Sequence, residues 1–89
     1  MGIVAVKIKL MPSSVETNTK KMAADARKKI EFYGGKNCTT SEELIAFGLK
    51  AVIAFFAWPE EKELERLELE LKNIDEVNSV QVIDMRRAF

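Results

Sequence analysis

The sequence contains no histidine, a single cysteine and only two prolines among its 89 residues. Without histidine it lacks the usual general base and the usual zinc ligand, and Ser-His or Cys-His nucleophile pairs are excluded. With Cys38 alone, no disulfide can form within the chain, and a lone cysteine is typically a buried structural residue. No cysteine cluster or acidic loop resembles a metal site. We therefore expect a protein that is not an enzyme and has no cofactor or metal.

The sequence also has no excess of positive or negative charge and no long hydrophobic run. The formal net charge is zero, and 47% apolar with 31% charged residues is typical of a globular protein. The longest apolar run, residues 51–58, is too short to cross a bilayer, and Lys7 and Lys9 interrupt the apolar N-terminal stretch. We expect one domain over residues 1–89, in the cytoplasm, without a membrane partner.

Four segments have strand character. Residues 3–10 alternate between apolar and other side chains, which predicts a strand with one face on a core, ended by the proline that follows. Residues 36–43 are polar, and we interpret them as an edge strand followed by a loop. Residues 47–58 are apolar without alternation, as in a central strand. Residues 77–85 predict the last strand, before a tail at 86–89, with Val80 and Val82 facing away from Gln81, Ile83 and Met85.

Two segments have helical spacing. The first begins after Asn18, the best N-cap among neighbouring threonines, and ends at Gly34-Gly35. The second spans residues 60–74, with Pro59 in its first turn. Their apolar stripes are Met22, Ala23, Ala26, Ile30 and Tyr33 in the first helix, and Leu64, Leu67, Leu71 and Ile74 in the second. The order βαββαβ folds most simply as a ferredoxin-like α+β domain, a four-stranded antiparallel sheet with two helices on one face.

The other face of that sheet is open to water or a partner. The aromatic residues Phe55, Phe56 and Trp58 suggest base stacking, so an RNA-binding module is one alternative function. The glycine- and aromatic-containing signature of RNA-recognition sheets is absent, and Phe55 and Phe56 are predicted to point to opposite faces. A self-associating module that uses the open face is another alternative, and the sequence leaves the oligomeric state open, with a monomer compatible.

Residues 44–50 place an aromatic side chain beside a glycine, at the entry of the predicted central strand. In one interpretation Phe47 packs into the core and Gly48 marks a β-bulge. In the other, the glycine lets the backbone bend and the ring is presented to a partner. The residues alone leave both interpretations open.

Residues 45–50, with the sequence Ile-Ala-Phe-Gly-Leu-Lys, resemble the Pro-Ile-Ala-Phe-Gly-Leu-Lys block of translation elongation factor 1-beta, the guanine-nucleotide exchange subunit. Met11-Pro12 and residues 80–87 are similar to the short archaeal form of that family. The chain departs from the block at Leu44, where the family usually has proline. The resemblance implies the same fold and a GDP-bound partner, the elongation factor 1-alpha GTPase, from which GDP is released so that GTP can bind. It implies no direct contact with nucleic acid.

The resemblance also implies the site residues. Phe47 matches the phenylalanine that the family inserts into its GTPase. In longer eukaryotic relatives a lysine near the chain end disturbs the Mg²⁺ site, and residues 86–89 contain no lysine. Arg86 or Arg87 could supply positive charge there, and a solvated basic tail is the alternative. The expected partner-binding residues are Ile45, Ala46, Phe47, Gly48, Asp84, Arg86 and Arg87.

Overall fold

The computed structural model describes residues 2–87, and its elements follow the predicted order. They are β1 (Ile3–Pro12), α1 (Thr19–Phe32), β2 (Lys36–Ala46), β3 (Leu49–Pro59), α2 (Glu65–Lys72) and β4 (Val77–Arg87). The strands form one antiparallel sheet in the order β2-β3-β1-β4. This confirms the ferredoxin-like α+β prediction. Neither helix in residues 2–87 is long and apolar enough to cross a membrane.

The core lies between one face of the sheet and the two helices. Alternate residues of β1 point into it, as predicted, and they pair with alternate residues of β3. The buried strand residues are Val6, Ile8 and Leu10 of β1 and Val52, Ala54, Phe56 and Trp58 of β3. Against them pack Met22, Ala26 and Ile30 of α1 and Leu67 and Leu71 of α2. Both helical stripes are therefore confirmed, and no helix of residues 2–87 covers the opposite face of the sheet.

Helix α1 begins and ends through local signals that the sequence displays. The side chain of Asn18 accepts a hydrogen bond of 3.1 Å from the backbone N–H of Lys21, which confirms it as the N-cap. At the other end, Gly34 has a φ of +110° and donates to Glu31, while Gly35 donates to the carbonyl of Ile30 at 2.8 Å. These two bonds form a Schellman motif, which satisfies the last carbonyls of the helix.

Helix α2 begins at Glu65, so the predicted start at residue 60 is wrong. Pro59 is the last residue of β3 and pairs with Ile3, and the N–H of Glu60 donates to the carbonyl of Gly2 at 2.9 Å. Because these bonds prolong the pairing of β1 with β3, the backbone cannot turn into a helix there. Glu60 and Glu61 consequently precede the helix, whose first turn contains Glu65 and Glu68 instead.

Three strands are longer than predicted. Strand β1 continues through Pro12, which ends it opposite Val77 of β4. Strand β2 reaches Ala46 rather than ending at residue 43, and it is an edge strand as expected. Strand β4 reaches Arg87, so residues 86 and 87 are not a tail. The predicted start of β3 at residue 47 is also wrong, because β3 starts at Leu49.

A β-bulge in β4 reverses the predicted alternation near its end. Lys7 pairs with Asp84 and the next residue, Ile8, pairs with Val82, which leaves Ile83 as an extra residue. Beyond the bulge Met85 pairs with Val6, whose side chain points into the core. Met85 therefore lies on the same face as Val80 and Val82, not on the opposite face as predicted.

Candidate functional site

Phe47 and Gly48 form the two-residue turn of the hairpin that joins β2 to β3. The pairing of the two strands extends to Ala46 and Leu49, so the residues between them close the hairpin. Phe47 has a φ of +50° and Gly48 a φ of +82°. Positive φ at both central positions is the requirement of a type I′ turn, whose twist matches that of the flanking strands. The segment is thus the tip of a hairpin, not simply the entry to a strand.

The side chain of Phe47 points into solvent. It is 100% exposed, so the interpretation in which the ring packs into the core is wrong. Gly48 is not a bulge residue either, since the register shift nearest the turn falls between Leu44 and Ala46 and leaves Ile45 unpaired in the ladder. A Cβ added at Gly48 would meet no atom within 4 Å, which shows how open the turn is.

The backbone at Phe47 is strained. Bulky residues rarely adopt a φ of +50°, because such a conformation costs on the order of 1–3 kcal/mol and persists only where the surrounding structure imposes it. Here the pairing of β2 with β3 on both sides of the turn imposes it. An exposed aromatic ring held by a strained but well-defined turn is the kind of outlier that points to a functional role.

The remaining predicted site residues lie at the other end of the sheet. Arg86 pairs with Ala5 of β1, and Ala5 pairs in turn with Ala57 of β3. Leu49, beside the hairpin turn, and Ala57 are eight residues apart on the same strand, and at the usual rise this separation is about 26 Å. The structure therefore brings Ile45, Ala46, Phe47 and Gly48 together, and separately Asp84, Arg86 and Arg87.

Both arginines at this second end have carboxylate partners within the chain. Nε of Arg86 lies 3.2 Å from Oδ2 of Asp84, and these two residues share the open face of the sheet. Nη2 of Arg87 lies 3.1 Å from Oε2 of Glu60, in the connection between β3 and α2. The arginines belong to a paired strand, so they are not part of a tail, although both side chains remain exposed to solvent. Residues 88 and 89 lie outside the described residues.

The open face of the sheet lacks the predicted set of aromatic rings. Phe56 and Trp58 are buried beneath the helices, with ring centroids 5.9 Å apart in an edge-to-face arrangement. Phe55 lies on the other face, between Lys7 and Thr39, as the prediction of opposite faces requires. Of the three aromatic residues on which the RNA-binding alternative was based, only Phe55 is available for stacking.

A cleft beside the hairpin turn was not predicted from the sequence. It has a volume of about 270 Å³ and lies between the β1–α1 connection and the start of β3. Val15, Gly48 and Lys50 are among its lining residues, and Val15 is 60% exposed. The only signal in the sequence is that Val15 is apolar within an otherwise polar loop, residues 13–19. Among residues 2–87, no three Cys, Asp or Glu side chains are grouped as metal ligands would be.

Comparison with known proteins gives a consistent result over almost the whole chain. Residues 5–88 match the family described as the EF-1 guanine nucleotide exchange domain. The chain is 38% identical to elongation factor 1-beta of Methanococcus aeolicus, over 96% of this chain and 97% of that protein. It is 36% identical to the protein of the same name from Methanosarcina barkeri, over 98% and 99% of the two chains. The corresponding protein of Aeropyrum pernix is 37% identical over 98% of each chain.

Proposed function

This chain belongs to the family of EF-1 guanine nucleotide exchange domains, and on that basis we propose that it accelerates the exchange of GDP for GTP on elongation factor 1-alpha, the GTPase that delivers aminoacyl-tRNA. Its role is guanine nucleotide exchange in translation elongation. We assign this activity to residues 1–89 as a single exchange domain acting in the cytoplasm. The observation that carries the assignment is the family match together with the fully exposed Phe47 inside the Ile-Ala-Phe-Gly-Leu-Lys block.

Exchange needs no covalent step from this protein. A GTPase holds its nucleotide through phosphate-binding backbone groups and a Mg²⁺ ion. A factor that binds best to the conformation with weak nucleotide affinity lowers the affinity for GDP. By linkage, bound nucleotide weakens the binding of the factor to the same extent, so rebinding of GTP releases it. The chain must therefore supply a surface that is complementary to one conformation of the GTPase.

Phe47 is suited to be the centre of that surface. A single aromatic ring that becomes buried in a pocket of a partner can contribute about 2 kcal/mol or more to binding. The turn fixes the backbone of Phe47 before any contact is made, so little conformational entropy remains to be lost on association. Ile45, Ala46 and Gly48 act mainly through the backbone, because they set the position and direction of the ring.

Asp84, Arg86 and Arg87 form a second contact with the GTPase, at the other end of the sheet. These three residues lie about 20 to 30 Å from the turn along the sheet, so a partner that contacts both groups must span at least about 20 Å. The two ion pairs at this end are exposed, and exposed pairs are held by at most about 1 kcal/mol. Each arginine can therefore exchange its own carboxylate for an acidic group of the GTPase.

Release of fluorescently labelled GDP from archaeal elongation factor 1-alpha tests the proposed activity. We expect the release rate to rise with the concentration of this protein and then to saturate. The assay contains excess unlabelled GDP, so that rebinding of the label does not contribute. A release rate that stays at its spontaneous value at every concentration of this protein would contradict the proposed function.

A further inference from the structure

We propose that Phe47 does not act alone, and that Val15, Leu44 and Phe47 form one contact surface, the apolar tip, with Lys50 at its rim. The inference rests on the proposed function, because we assign the apolar tip to the elongation GTPase. The matching patch on the GTPase is apolar, with a carboxylate at its edge opposite Lys50. Val15, Leu44 and Lys50 were not among the site residues expected from the sequence.

The three apolar side chains come from two parts of the chain that meet at one end of the molecule. Leu44 pairs with Lys50 at the end of the β2–β3 hairpin, next to the turn that holds Phe47. Val15 belongs to the connection between β1 and α1, and it lines the same cleft as Gly48 and Lys50. The cleft thus joins the loop and the hairpin into a single surface.

These side chains remain exposed although the fold has a well-packed core nearby. Phe47 is 100% exposed, Leu44 is 67% exposed and Val15 is 60% exposed. A single exposed apolar side chain is ordinary, whereas a group at one place on the surface marks a contact site. The remaining large exposed apolar side chains of residues 2–87 lie on α1, α2, the open sheet face and β4, and they are Phe32, Phe55, Leu69, Ile83 and Met85.

Because the apolar tip surrounds Phe47, we assign it to the same partner, the elongation GTPase. A ring that enters a pocket of the GTPase brings the residues around it against the walls of that pocket, and the nearest apolar neighbours are on the same hairpin and the adjoining loop. Leu44 is also the position at which this chain departs from the Pro-Ile-Ala-Phe-Gly-Leu-Lys block of the family, which usually has proline there. An exposed leucine there adds apolar area next to the ring.

Lys50 provides the charged rim. Its side chain is exposed, and it takes part in none of the four ion pairs found within residues 2–87. Interfaces commonly have an apolar centre surrounded by polar residues, and rim charges act mainly on the rate of association and on its dependence on salt. A cation in this position therefore calls for a carboxylate on the partner.

The test is the GDP-release assay with Val15→Ser, Leu44→Ser and Lys50→Glu, and with Leu69→Ser as the matched control. Leu69 is 60% exposed like Val15, but it lies on α2. We expect the concentration of factor that gives half-maximal release to rise about fivefold or more for Val15→Ser and for Leu44→Ser. The Leu69→Ser variant should match the unsubstituted protein. Lys50→Glu should also raise the half-maximal concentration, and this rise should become smaller as salt is added.

The outcomes separate this inference from the proposed function. If the unsubstituted protein accelerates release and Phe47→Ala reduces it, while Val15→Ser and Leu44→Ser behave like Leu69→Ser, the apolar tip is overturned and the exchange function stands. If the unsubstituted protein has no effect on release, the apolar tip and the exchange function both fail.

Sedimentation of the protein alone tests whether a second copy of the chain binds the apolar tip, and self-association abolished by Val15→Ser would also overturn the assignment to the GTPase. Urea unfolding verifies that each variant is folded, with Leu44→Thr as the replacement if Leu44→Ser is destabilised.

Discussion

The indole Nε1 of Trp58 donates a hydrogen bond of 3.2 Å to the backbone carbonyl of Lys62. The bond ties the end of β3 to the connection that leads into α2. The ammonium group of Lys62 lies 5.4 Å from the centroid of the same ring and donates to the backbone carbonyl of Tyr33, at the end of α1. Trp58 and Lys62 together hold the β3–α2 connection against the first helix, in the region that was predicted to be helical.

Replacement of Trp58 by phenylalanine should reduce the free energy of unfolding by about 1–2 kcal/mol. Phenylalanine keeps an aromatic ring against Phe56 but removes the indole donor and part of the buried volume. Urea unfolding monitored by circular dichroism measures the loss. The exposed Phe55, changed to leucine, is the control and should cost much less. Equal losses in the two variants would show that the bond to Lys62 contributes nothing measurable.

Alanine at Gly35 should destabilise the fold by about 1–3 kcal/mol. The added Cβ would lie 2.4 Å from Cγ2 of Ile30 and 3.2 Å from Cδ2 of Phe56, both of which belong to fully buried side chains. Gly48→Ala is the matched control, because its Cβ meets no atom and only the positive φ is unfavourable, at about 1 kcal/mol. Thermal or urea unfolding ranks the two variants. A larger loss for Gly48→Ala would contradict the crowding at Gly35.

Asparagine at position 47 should stabilise the protein while it weakens exchange. Asn-Gly is the preferred sequence of a type I′ turn, and Phe47 is fully exposed, so the substitution relieves strain without the loss of a packed side chain. We expect a gain of about 0.5–1 kcal/mol in the free energy of unfolding, and a loss of at least about tenfold in GDP-release activity. Phe47→Ala should lose similar activity without the gain in stability. Unfolding of Phe47→Ala, or full activity of Phe47→Asn, would argue against an exposed contact residue.

The stability of the fold should decrease above about pH 9, and Cys38 should account for part of the decrease. The side chain is buried, as the sequence predicted, and burial raises the pKa of its thiol above the ordinary 9.0; nearby Arg27 lowers it by less. The unfolded chain therefore loses this proton first, so the stability is retained below pH 9 and lost as the pH rises towards the pKa of the folded protein. Urea unfolding of the unsubstituted protein and of Cys38→Ala between pH 7 and 10 measures the effect. Parallel pH dependences would contradict it.

The features of the fold that depend on contacts between residues close along the chain could be predicted from the sequence. Asn18 and the Gly34-Gly35 pair mark the ends of α1 because their bonds reach only three to five residues along the chain. The start of α2 was not predictable in this way. It depends on Glu60 bonding to Gly2 and on Trp58 bonding to Lys62, and the first of these contacts joins residues that are far apart along the chain.

The residues of the candidate site were proposed from the sequence, and their geometry could be predicted only in part. The pair Phe47-Gly48 stands between two strand segments, which is a hairpin signal, but a phenylalanine at positive φ is rare and the turn was not recognised. The bulge at Ile83 and the distance of Arg86 from Phe47 result from the pairing of β4 with β1. The contribution of Val15 to the apolar tip depends on how the β1–α1 loop packs beside the hairpin.

The class of fold, the core faces of both helices and the residue block that resembles the exchange family could be inferred from the sequence alone. This was possible because periodicity, capping and short motifs involve residues that are close along the chain. The three-dimensional structure was needed to show that Phe47 is the exposed end of a hairpin and that the two groups of candidate site residues lie at opposite ends of the sheet. The physical reason is that strand register is set by pairing between distant segments, and one extra residue such as Ile83 reverses the direction of every side chain beyond it.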